Sequence, residues 1–205
     1  MQEIKNISAY KQALYDKIVT TAMHAFAQKG IRRVKMDDIA AQLSISKRTL
    51  YELFENKEVL LFEGVKKYHE QINSRLRTIN EESENVMEVM LKVYRMKVDE
   101  FRATSPQFYS DIVKYPEVMD YLKKKSKESH SRHLLFLKRG VEEGFFRNDV
   151  NLELVGKMFE AQGLYIMQQK LYTQFNIEDI FDILVFVSLR GLCTPKGILV
   201  LEKFH

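Results

Sequence analysis

The sequence predicts an all-α protein, and three observations support this prediction. Apolar residues recur at spacings of three and four along the whole chain, the period of one helix face, whereas the sustained alternation typical of strands is nearly absent. Only 8 glycines and 3 prolines punctuate the 205 residues, fewer than a protein built of hairpins and tight turns would need. Hydrophobic residues make up 45% of the chain, so a packed core is expected rather than disorder.

Four helices are predicted in the first part of the chain. A helix over Lys11–Gln28 ends before Gly30, since glycine accepts the left-handed conformation that stops a helix. Short helices follow over Asp37–Leu43 and Lys47–Phe54, with a polar break between them. Asn56 is a good N-cap for a fourth helix, which carries apolar residues at helical spacing to about residue 80.

The middle of the chain contains three further predicted helices. One covers residues 86–101, where apolar residues again follow the helical period. Pro106 and Pro116 each mark the start of another, since proline suits the first helical position. The helix that starts at Pro116 is long and is expected to end at Gly144.

The last part of the chain is expected to form two helices and a tail. Asn151 and Asn176 are the N-caps of these helices. Residues 180–192 are apolar on nearly every side, so this segment is expected to be buried on most sides. Residues 198–201 are expected to form a short extended tail.

Composition excludes several classes of protein. Cys193 is the only cysteine, so the chain has neither an internal disulfide framework nor a cysteine-rich zinc site. The N-terminus lacks the apolar stretch of a signal peptide, and no apolar run reaches the ~18 residues that a membrane span requires. A cytoplasmic protein without a membrane partner is therefore expected.

Positive charge is concentrated in one short segment. The whole chain has a formal net charge of +4. Residues 29–48 contain six lysines or arginines against two aspartates, so this segment alone carries the same net charge. A local cluster of this kind points to nucleic acid more strongly than a mildly basic chain does.

The same segment has the pattern of a helix-turn-helix. Residues 39–43 form a compact first helix, in which Ala40 is small enough for the second helix to pack closely. Residues 44–46 are the turn, and Ser46 caps the second helix. The inner face of this second helix is apolar, with Leu50, Leu53 and Phe54. Its outer face carries short polar and basic side chains suited to a DNA groove, namely Lys47, Arg48, Thr49 and Tyr51.

Residues 36–61 resemble the N-terminal signature of the TetR/AcrR family of bacterial transcription regulators. The matching elements are Asp38-Ile39-Ala40, Ser46, Thr49-Leu50-Tyr51, Phe54, and Asn56-Lys57-Glu58 followed by Leu60. Residues 25–30 also fit the family's first helix and its stop, and residues 140–150 resemble the turn before its last two helices.

Two positions depart from the family pattern. Ser44 occupies a position where the turn usually has glycine, so a left-handed serine is expected there at modest cost. Lys35 occupies the usual Thr or Ser cap of the first helix of the motif. Loss of that cap is expected to be partly offset by Asp37 or Asp38 at the helix N-terminus.

The resemblance implies a role in DNA binding for nine residues. Tyr51 and Lys57 are expected to contact phosphates, and Ser46 to touch the DNA backbone. The candidates for base edges are Lys47, Arg48 and Thr49, of which Arg48 is best placed for a guanine. Further phosphate contacts, and with them salt dependence, are expected from Arg32, Arg33 and Lys35.

The resemblance also implies a repressor with two domains. Residues 1–55 would be the DNA-binding domain, and residues 56–205 a helical domain that dimerises through the last two helices and binds a small-molecule effector. The homodimer would read a pseudo-palindromic operator in double-stranded DNA. Candidate effector contacts are the aromatic residues Phe62, Tyr94, Phe101, Phe108, Tyr109, Phe136, Phe159 and Tyr165.

Other functional classes stay open at this stage. A helical-bundle enzyme or carrier, or a metal sensor, could have N-terminal helices that merely resemble a DNA reader. His130 and His133 are three residues apart on a helix, but no carboxylate or cysteine partner is evident, so no metal site is predicted. No catalytic motif and no cofactor site is found, and an enzyme is not expected. Activation in place of repression, the effector and the operator sequence are left open.

Overall fold

A computed structural model describes residues 2–203, with side chains at 9–180, 182, 183 and 186–203. This part of the chain contains no strand, only an isolated antiparallel bridge between Phe146 and Cys193, so the predicted all-α class is confirmed. None of its helices is long and apolar enough to cross a membrane. The α-helices are α1 (Gln2–Lys29), α2 (Met36–Gln42), α3 (Lys47–Leu53), α4 (Lys57–Glu81), α5 (Val86–Arg102), α6 (Pro106–Ile112), α7 (Pro116–Glu142), α8 (Leu152–Gln168), α9 (Ile177–Phe181), α10 (Ser188–Leu192) and α11 (Pro195–Glu202).

Local capping signals set most of these helix ends as predicted. The Ser105 side chain accepts the Gln107 N–H at the start of α6, and the Asn151 side chain accepts the Leu154 N–H at 3.0 Å at the start of α8. Gly144 has a φ of +76° just beyond α7, as a glycine stop requires. The helix α1 begins at Gln2 and is thus longer than predicted. The side chain of Asn176 makes no cap hydrogen bond, and the last predicted helix, from Asn176 to Leu192, is divided into α9, a π-helical turn over Asp182–Val187 and α10.

The predicted extended tail at residues 198–201 is wrong. These residues lie inside α11, because Thr194 and Pro195 together form a helix start. The Thr194 hydroxyl accepts the Gly197 N–H at 3.3 Å, and Pro195 occupies the first turn, where its missing N–H costs nothing. Leu201 is 5% exposed, so the helix buries an apolar residue that a solvated tail would leave in water.

Contacts divide the chain into two compact units, and the first contains the helix-turn-helix. It consists of the residues up to Ile72 together with Ala103–Tyr121. Ile18 and Phe26 on α1, Ile39 on α2 and Leu50 on α3 are fully buried, and they form the centre of its core. The boundary predicted between residues 55 and 56 falls inside this unit, and the functional division at that point stays a prediction.

The second unit consists of Asn73–Arg102 together with the residues from Leu122 onward. Val86 and Met87 at the start of α5 are fully buried in a cluster with Phe146 and Leu192. The Val86 N–H, which α5 itself cannot satisfy, donates to Glu143 Oε2 at 2.8 Å. The beginning of α5 and the end of α7 are thus fixed to each other.

Candidate nucleic-acid interface

The second helix of the motif, α3, is held by its apolar face and by a side-chain cap. Leu50 is fully buried, and Phe54 is 1% exposed with its ring stacked on Tyr15 at 4.8 Å between ring centres. At the N-terminus, Ser46 Oγ accepts the Thr49 N–H at 3.0 Å, as the sequence predicts for a cap. The helix is therefore fixed at both ends, and its outer face is free to meet DNA.

Ser44, in the tight turn before α3, and Lys35, before α2, are the two positions that depart from the family pattern, and both have the local structure that the sequence predicts. Ser44 has a φ of 54°, the left-handed conformation expected of a residue that replaces glycine. The Lys35 side chain makes no cap, but Asp38 accepts the Lys35 N–H at 2.9 Å through Oδ2. Asp38 thus supplies the compensation that the loss of a Thr or Ser cap requires.

Replacing Ser46 with alanine should destabilise the fold by about 1 kcal/mol, because the first turn of α3 loses a side-chain acceptor for one of its free N–H groups. Urea unfolding followed by circular dichroism measures the change as a shift in the midpoint. Ser126→Ala, at an exposed position in α7, is the matched control and should change stability little. Equal midpoints for Ser46→Ala and the wild type would contradict the assigned cap.

The two cations at the start of α3 are paired with acidic neighbours on the protein surface. Lys47 Nζ lies 2.6 Å from Asp37 Oδ2, and this hydrogen bond raises the pKa of Lys47. Arg48 Nε lies 2.9 Å from Glu52 Oε1, and the Arg48 side chain is 89% exposed. Exposed ion pairs of this kind contribute little to stability, so a phosphate or a guanine edge can replace the carboxylate.

The other predicted contacts on α3 differ in exposure. Tyr51 is 48% exposed and Thr49 is half-buried. The Ser46 hydroxyl already contacts the Thr49 hydroxyl at 2.8 Å in addition to capping the helix. On this surface Arg48, Lys47 and Tyr51 are therefore the residues most open to a DNA groove.

The turn between α1 and α2 places three further cations in solvent. Arg32, Arg33 and Lys35 are exposed, while Ile31 and Val34 are 0% and 2% exposed and fix the turn to the core. The turn joins α2 directly, and α2 and α3 pack together. The predicted phosphate contacts thus lie on the turn that leads into α2, the helix that packs against α3.

Lys57 occupies a different environment from the other predicted DNA contacts. Its ammonium donates to three backbone carbonyls of that turn, at 3.0 Å to Ile31, 3.0 Å to Val34 and 3.4 Å to Arg32. Partial burial lowers the pKa of Lys57. On the same turn, the Arg32 N–H donates to Asp111 Oδ2 at 3.0 Å. The sequence offered no signal for this role of Asp111, since Arg32 and Asp111 are far apart in the chain.

The eight aromatic residues predicted to contact an effector lie in separate clusters within the two units. In the first unit, Phe62 packs edge-on against Tyr121 and Phe108 against Tyr109. In the second, the Tyr94 ring packs against Phe186, and its hydroxyl donates to Asp182. The other members in the second unit are Phe101, Phe136, Phe159 and Tyr165, of which Tyr165 is 55% exposed.

The space that the described residues enclose beside Tyr94 is small. The space between Tyr94, Met90 and Phe186 holds about 10 Å³, which is no more than one water needs. A much larger surface cleft of about 580 Å³ lies beside Arg147 and Thr194, and it contacts none of the eight aromatic residues. An effector bound at Tyr94 would have to open the packing around it.

His130 has a carboxylate neighbour that the sequence did not reveal. Its Nδ1 lies 3.6 Å from Glu160 Oε1 on α8. Within residues 2–203, no group of three or more histidines, cysteines or carboxylates is arranged to hold a metal ion. The pair is therefore a contact between α7 and α8.

Comparison with known proteins agrees with the motif. Residues 18–63 match the family model described as bacterial regulatory proteins of the tetR family. The HTH-type transcriptional repressor KstR2 of Mycolicibacterium smegmatis is 25% identical over 189 residues, which cover 89% of this chain and 92% of that protein. These likenesses do not favour the alternative of a helical-bundle enzyme, carrier or metal sensor.

Solved structures share the fold over most of the chain. The ketosteroid transcriptional regulator KstR2 of Mycobacterium tuberculosis superposes with a TM-score of 0.56 at 20% identity, covering 88% of this chain and 95% of that one. The fatty acid degradation regulator FadR of Bacillus halodurans gives a TM-score of 0.66 at 18% identity, covering 87% and 95%. The shared architecture is an N-terminal helix-turn-helix followed by a helical domain.

Proposed function

We propose that this chain, which is a DNA-binding transcriptional regulator of the TetR family, acts as a homodimeric repressor that leaves its operator when a small molecule binds the helical domain. The observation that carries the proposal is the capped and core-anchored α3, whose outer face carries the exposed side chains of Lys47, Arg48 and Tyr51. The proposal assigns no catalytic role to the chain.

The proposed reading head inserts α3 into the major groove of double-stranded DNA. Arg48 would donate two hydrogen bonds to a guanine edge, with Lys47 and Thr49 beside it. Tyr51 would contact a phosphate on one side of the groove, and the cations of the α1–α2 turn would contact phosphates on the other. Exchange of the Arg48–Glu52 pair for a guanine contact keeps the guanidinium satisfied throughout.

An exposed apolar face supports the proposed dimer. Several large apolar side chains of α8 and of the π-helical turn Asp182–Val187 are solvent-exposed in the single chain. The burial that the sequence predicts for residues 180–192 is found at Ile180, Leu189 and Leu192 but not at Ile183 and Val187. The exposed fractions on this face are 65% for Leu154, 41% for Met158, 59% for Leu164, 62% for Ile183 and 66% for Val187. A face of this kind is expected to be covered by a partner, and a second copy of the same face satisfies it by two-fold symmetry.

The proposed effector is an apolar small molecule. The aromatic side chains around Tyr94 suit an apolar ligand, and the tight packing there implies that binding shifts the chain to a more open state. One similar protein is named as a ketosteroid transcriptional regulator and another as a fatty acid degradation regulator. Addition of a panel of steroid and fatty acyl compounds to the protein–DNA complex tests this part, and release by none of them would reject it.

Selection of a DNA ligand tests the reading head. A duplex pool of random sequence is enriched by repeated binding to the wild-type protein, and a two-fold symmetric site should emerge with half-sites about one helical turn, roughly 34–36 Å, or a multiple of it apart. Affinity for this duplex should fall steeply as salt rises. Failure to enrich a symmetric site, or binding that ignores salt, would reject the proposal.

Arg48→Ala should weaken binding to the selected duplex by at least about tenfold and relax the base preference at one position of each half-site, since a bidentate arginine–guanine contact contributes about 1–3 kcal/mol of discrimination. Gel shift titration and a repeat of the selection measure both effects. Arg132→Ala, which removes an exposed arginine of α7, is the matched control and should bind like the wild type. Unchanged base preference in Arg48→Ala would contradict the assignment.

A further inference from the structure

The α1–α2 turn is held by contacts to its backbone on both sides. Residues 30–35 lie between α1 and α2, so their carbonyl and N–H groups need partners outside a helix or strand. Lys57, the first residue of α4, meets the carbonyls of Ile31, Arg32 and Val34. Asp111, near the end of α6, meets the N–H of Arg32. Together with the buried side chains of Ile31 and Val34, these two charged groups hold a turn that carries three exposed cations.

The Lys57 ammonium has no donor left for DNA in this arrangement. An ammonium has three N–H groups and no acceptor, and the three carbonyls occupy all three donors. Backbone carbonyls that no N–H of a helix or strand uses are good partners for a cation, because an ammonium offers them charged donors. A phosphate contact from Lys57 would require the removal of at least one of these hydrogen bonds.

Asp111 is a buried carboxylate, and one of its oxygens accepts a hydrogen bond from the turn. Its side chain is fully buried, and Gln107 Nε2 donates to Oδ1 at 2.9 Å while the Arg32 N–H donates to Oδ2. Burial alone would raise the pKa of Asp111, but the hydrogen bonds from Arg32, Gln107 and Lys114 outweigh it and lower the pKa. A buried carboxylate of this kind is costly unless its acceptors are used.

Glycine at position 30 lets α6 approach the turn this closely. Gly30 has a φ of +83°, and a Cβ there would lie 2.4 Å from Gln107 Cγ. The same Gln107 supports the Asp111 carboxylate. The close approach of α6 and the hydrogen bond to Arg32 therefore depend on each other.

We propose that Lys57 and Asp111 are positioning residues for DNA binding, which hold the α1–α2 turn so that Arg32, Arg33 and Lys35 face the phosphate backbone, and that the Lys57 side chain does not itself bind a phosphate. This inference rests on the proposed reading head. It replaces the direct phosphate contact that the family resemblance implies for Lys57 with an indirect role.

Asp111→Asn gives the first test, because a purely electrostatic effect of Asp111 and a positioning role predict opposite changes in affinity for DNA. Removal of a negative charge near a DNA-binding surface should strengthen binding to DNA if only the field matters. Asparagine has the same shape but is a weaker acceptor for the Arg32 N–H. The positioning role therefore predicts weaker binding to the selected duplex, roughly tenfold, which corresponds to about 1.4 kcal/mol.

The matched control for charge is Glu55→Gln, an exposed carboxylate between α3 and α4. It removes the same charge without touching the turn, so its affinity should be equal to or higher than that of the wild type. Thermal unfolding confirms that each variant is folded at the temperature of the titration. Affinity that rises in Asp111→Asn as it does in Glu55→Gln would overturn the proposal.

Lys57→Met gives the second test, because a positioning residue acts only through the residues that it positions. Lys57→Met should weaken binding to the selected duplex about tenfold or more, since the three carbonyls lose the ammonium that holds the turn. The same change is then made in a background in which Arg32, Arg33 and Lys35 are all glutamine, at a salt concentration low enough for that background to bind. There it should have little further effect.

The possible outcomes separate the two roles of Lys57. An equal loss in both backgrounds would mean that Lys57 contacts a phosphate directly, and no loss in the wild-type background would mean that the turn needs no support; either overturns the proposal. A triple glutamine variant that binds as tightly as the wild type would instead reject the phosphate contacts of the proposed reading head. A loss confined to the background that has the three cations supports the proposal.

Discussion

Val187→Glu should convert the protein into a folded monomer that no longer holds its operator at concentrations that saturate the wild type. Val187 is 66% exposed in the single chain and lies one helical turn from Ile183, which is 62% exposed. In the proposed dimer both side chains are covered, so a glutamate at this position would be buried without a partner. Two-fold symmetry introduces two such charges for each dimer.

The expected loss is large because an unpaired buried charge is one of the costliest changes in an interface. We expect the dimer dissociation constant to rise by at least about a thousandfold, which is about 4 kcal/mol. Sedimentation equilibrium measures the monomer fraction, and circular dichroism checks that the helices are retained. A monomer presents one reading head instead of two, so binding to the two-fold site should weaken in parallel.

Leu199→Glu on α11 is the matched control for this change. Leu199 is 61% exposed, nearly as much as Val187, but it lies outside the proposed interface of α8 and the segment 176–192. It should leave the protein dimeric and bound to DNA. A dimeric Val187→Glu variant, or a Leu199→Glu variant that dissociates equally, would show that the interface lies elsewhere.

The first turns of α4 are tied to α1, and this limits how the proposed effector could act. Tyr15 donates to Glu63 at 2.8 Å, and Lys67 lies 2.6 Å from Asp16. Gly64 leaves room for Met23, since a Cβ at residue 64 would lie 2.4 Å from the Met23 sulfur. A displacement of α4 up to Lys67 would therefore carry α1 and its turn with it. The proposed release of DNA would move this whole assembly and not α4 alone.

Features set by neighbouring residues could be predicted from the sequence. The cap at Ser46, the left-handed Ser44 and the glycine stop at Gly144 each depend on a few adjacent residues, and all three are found as predicted. The helix α11 lies where an extended tail is predicted, although the sequence contains the signal for a helix start. Pro195 follows Thr194 at the start of α11, just as Pro106 and Pro116 stand at the predicted starts of α6 and α7.

Contacts between distant segments could not be predicted in this way. The place of Lys57 in the motif predicts a phosphate contact, whereas its carbonyl partners belong to a turn more than twenty residues earlier. Asp111 has no periodic or motif context that would single it out. Tertiary packing decides both positions, and one sequence does not reveal it. The same holds for the eight aromatic residues predicted to contact an effector, which lie in separate clusters in the structure.

Gly140→Ala should destabilise the protein by about 3 kcal/mol, the upper end of the cost of overpacking a core. An added Cβ would lie 2.0 Å from Phe146 Cδ2 and 2.3 Å from Cε2. The Phe146 ring has no room to withdraw, because it is 2% exposed and its backbone N–H donates to the Gly140 carbonyl at 3.0 Å. The bridge between Phe146 and Cys193 holds the same residue from the other side.

Helix propensity acts against this effect and makes the test sharper. Alanine in the interior of a helix is favoured over glycine by about 1 kcal/mol, so a neutral site would gain stability from the same substitution. Helix propensity alone would raise the unfolding midpoint of Gly140→Ala, so a lower midpoint must come from the clash with Phe146. For a chain of this size, a net loss of about 3 kcal/mol corresponds to a fall in Tm of roughly 6–12 °C.

The double variant Gly140→Ala/Phe146→Leu is the control that identifies the cause. Phe146→Leu alone should cost about 1 kcal/mol or somewhat more, because it leaves part of the ring volume empty. In the double variant the smaller side chain gives room for the new methyl group. The loss of stability in the double variant should therefore be about 1–2 kcal/mol smaller than the sum of the losses in the two single variants, a coupling typical of side chains in contact. Strict additivity would mean that Gly140 is required for a reason other than its contact with Phe146.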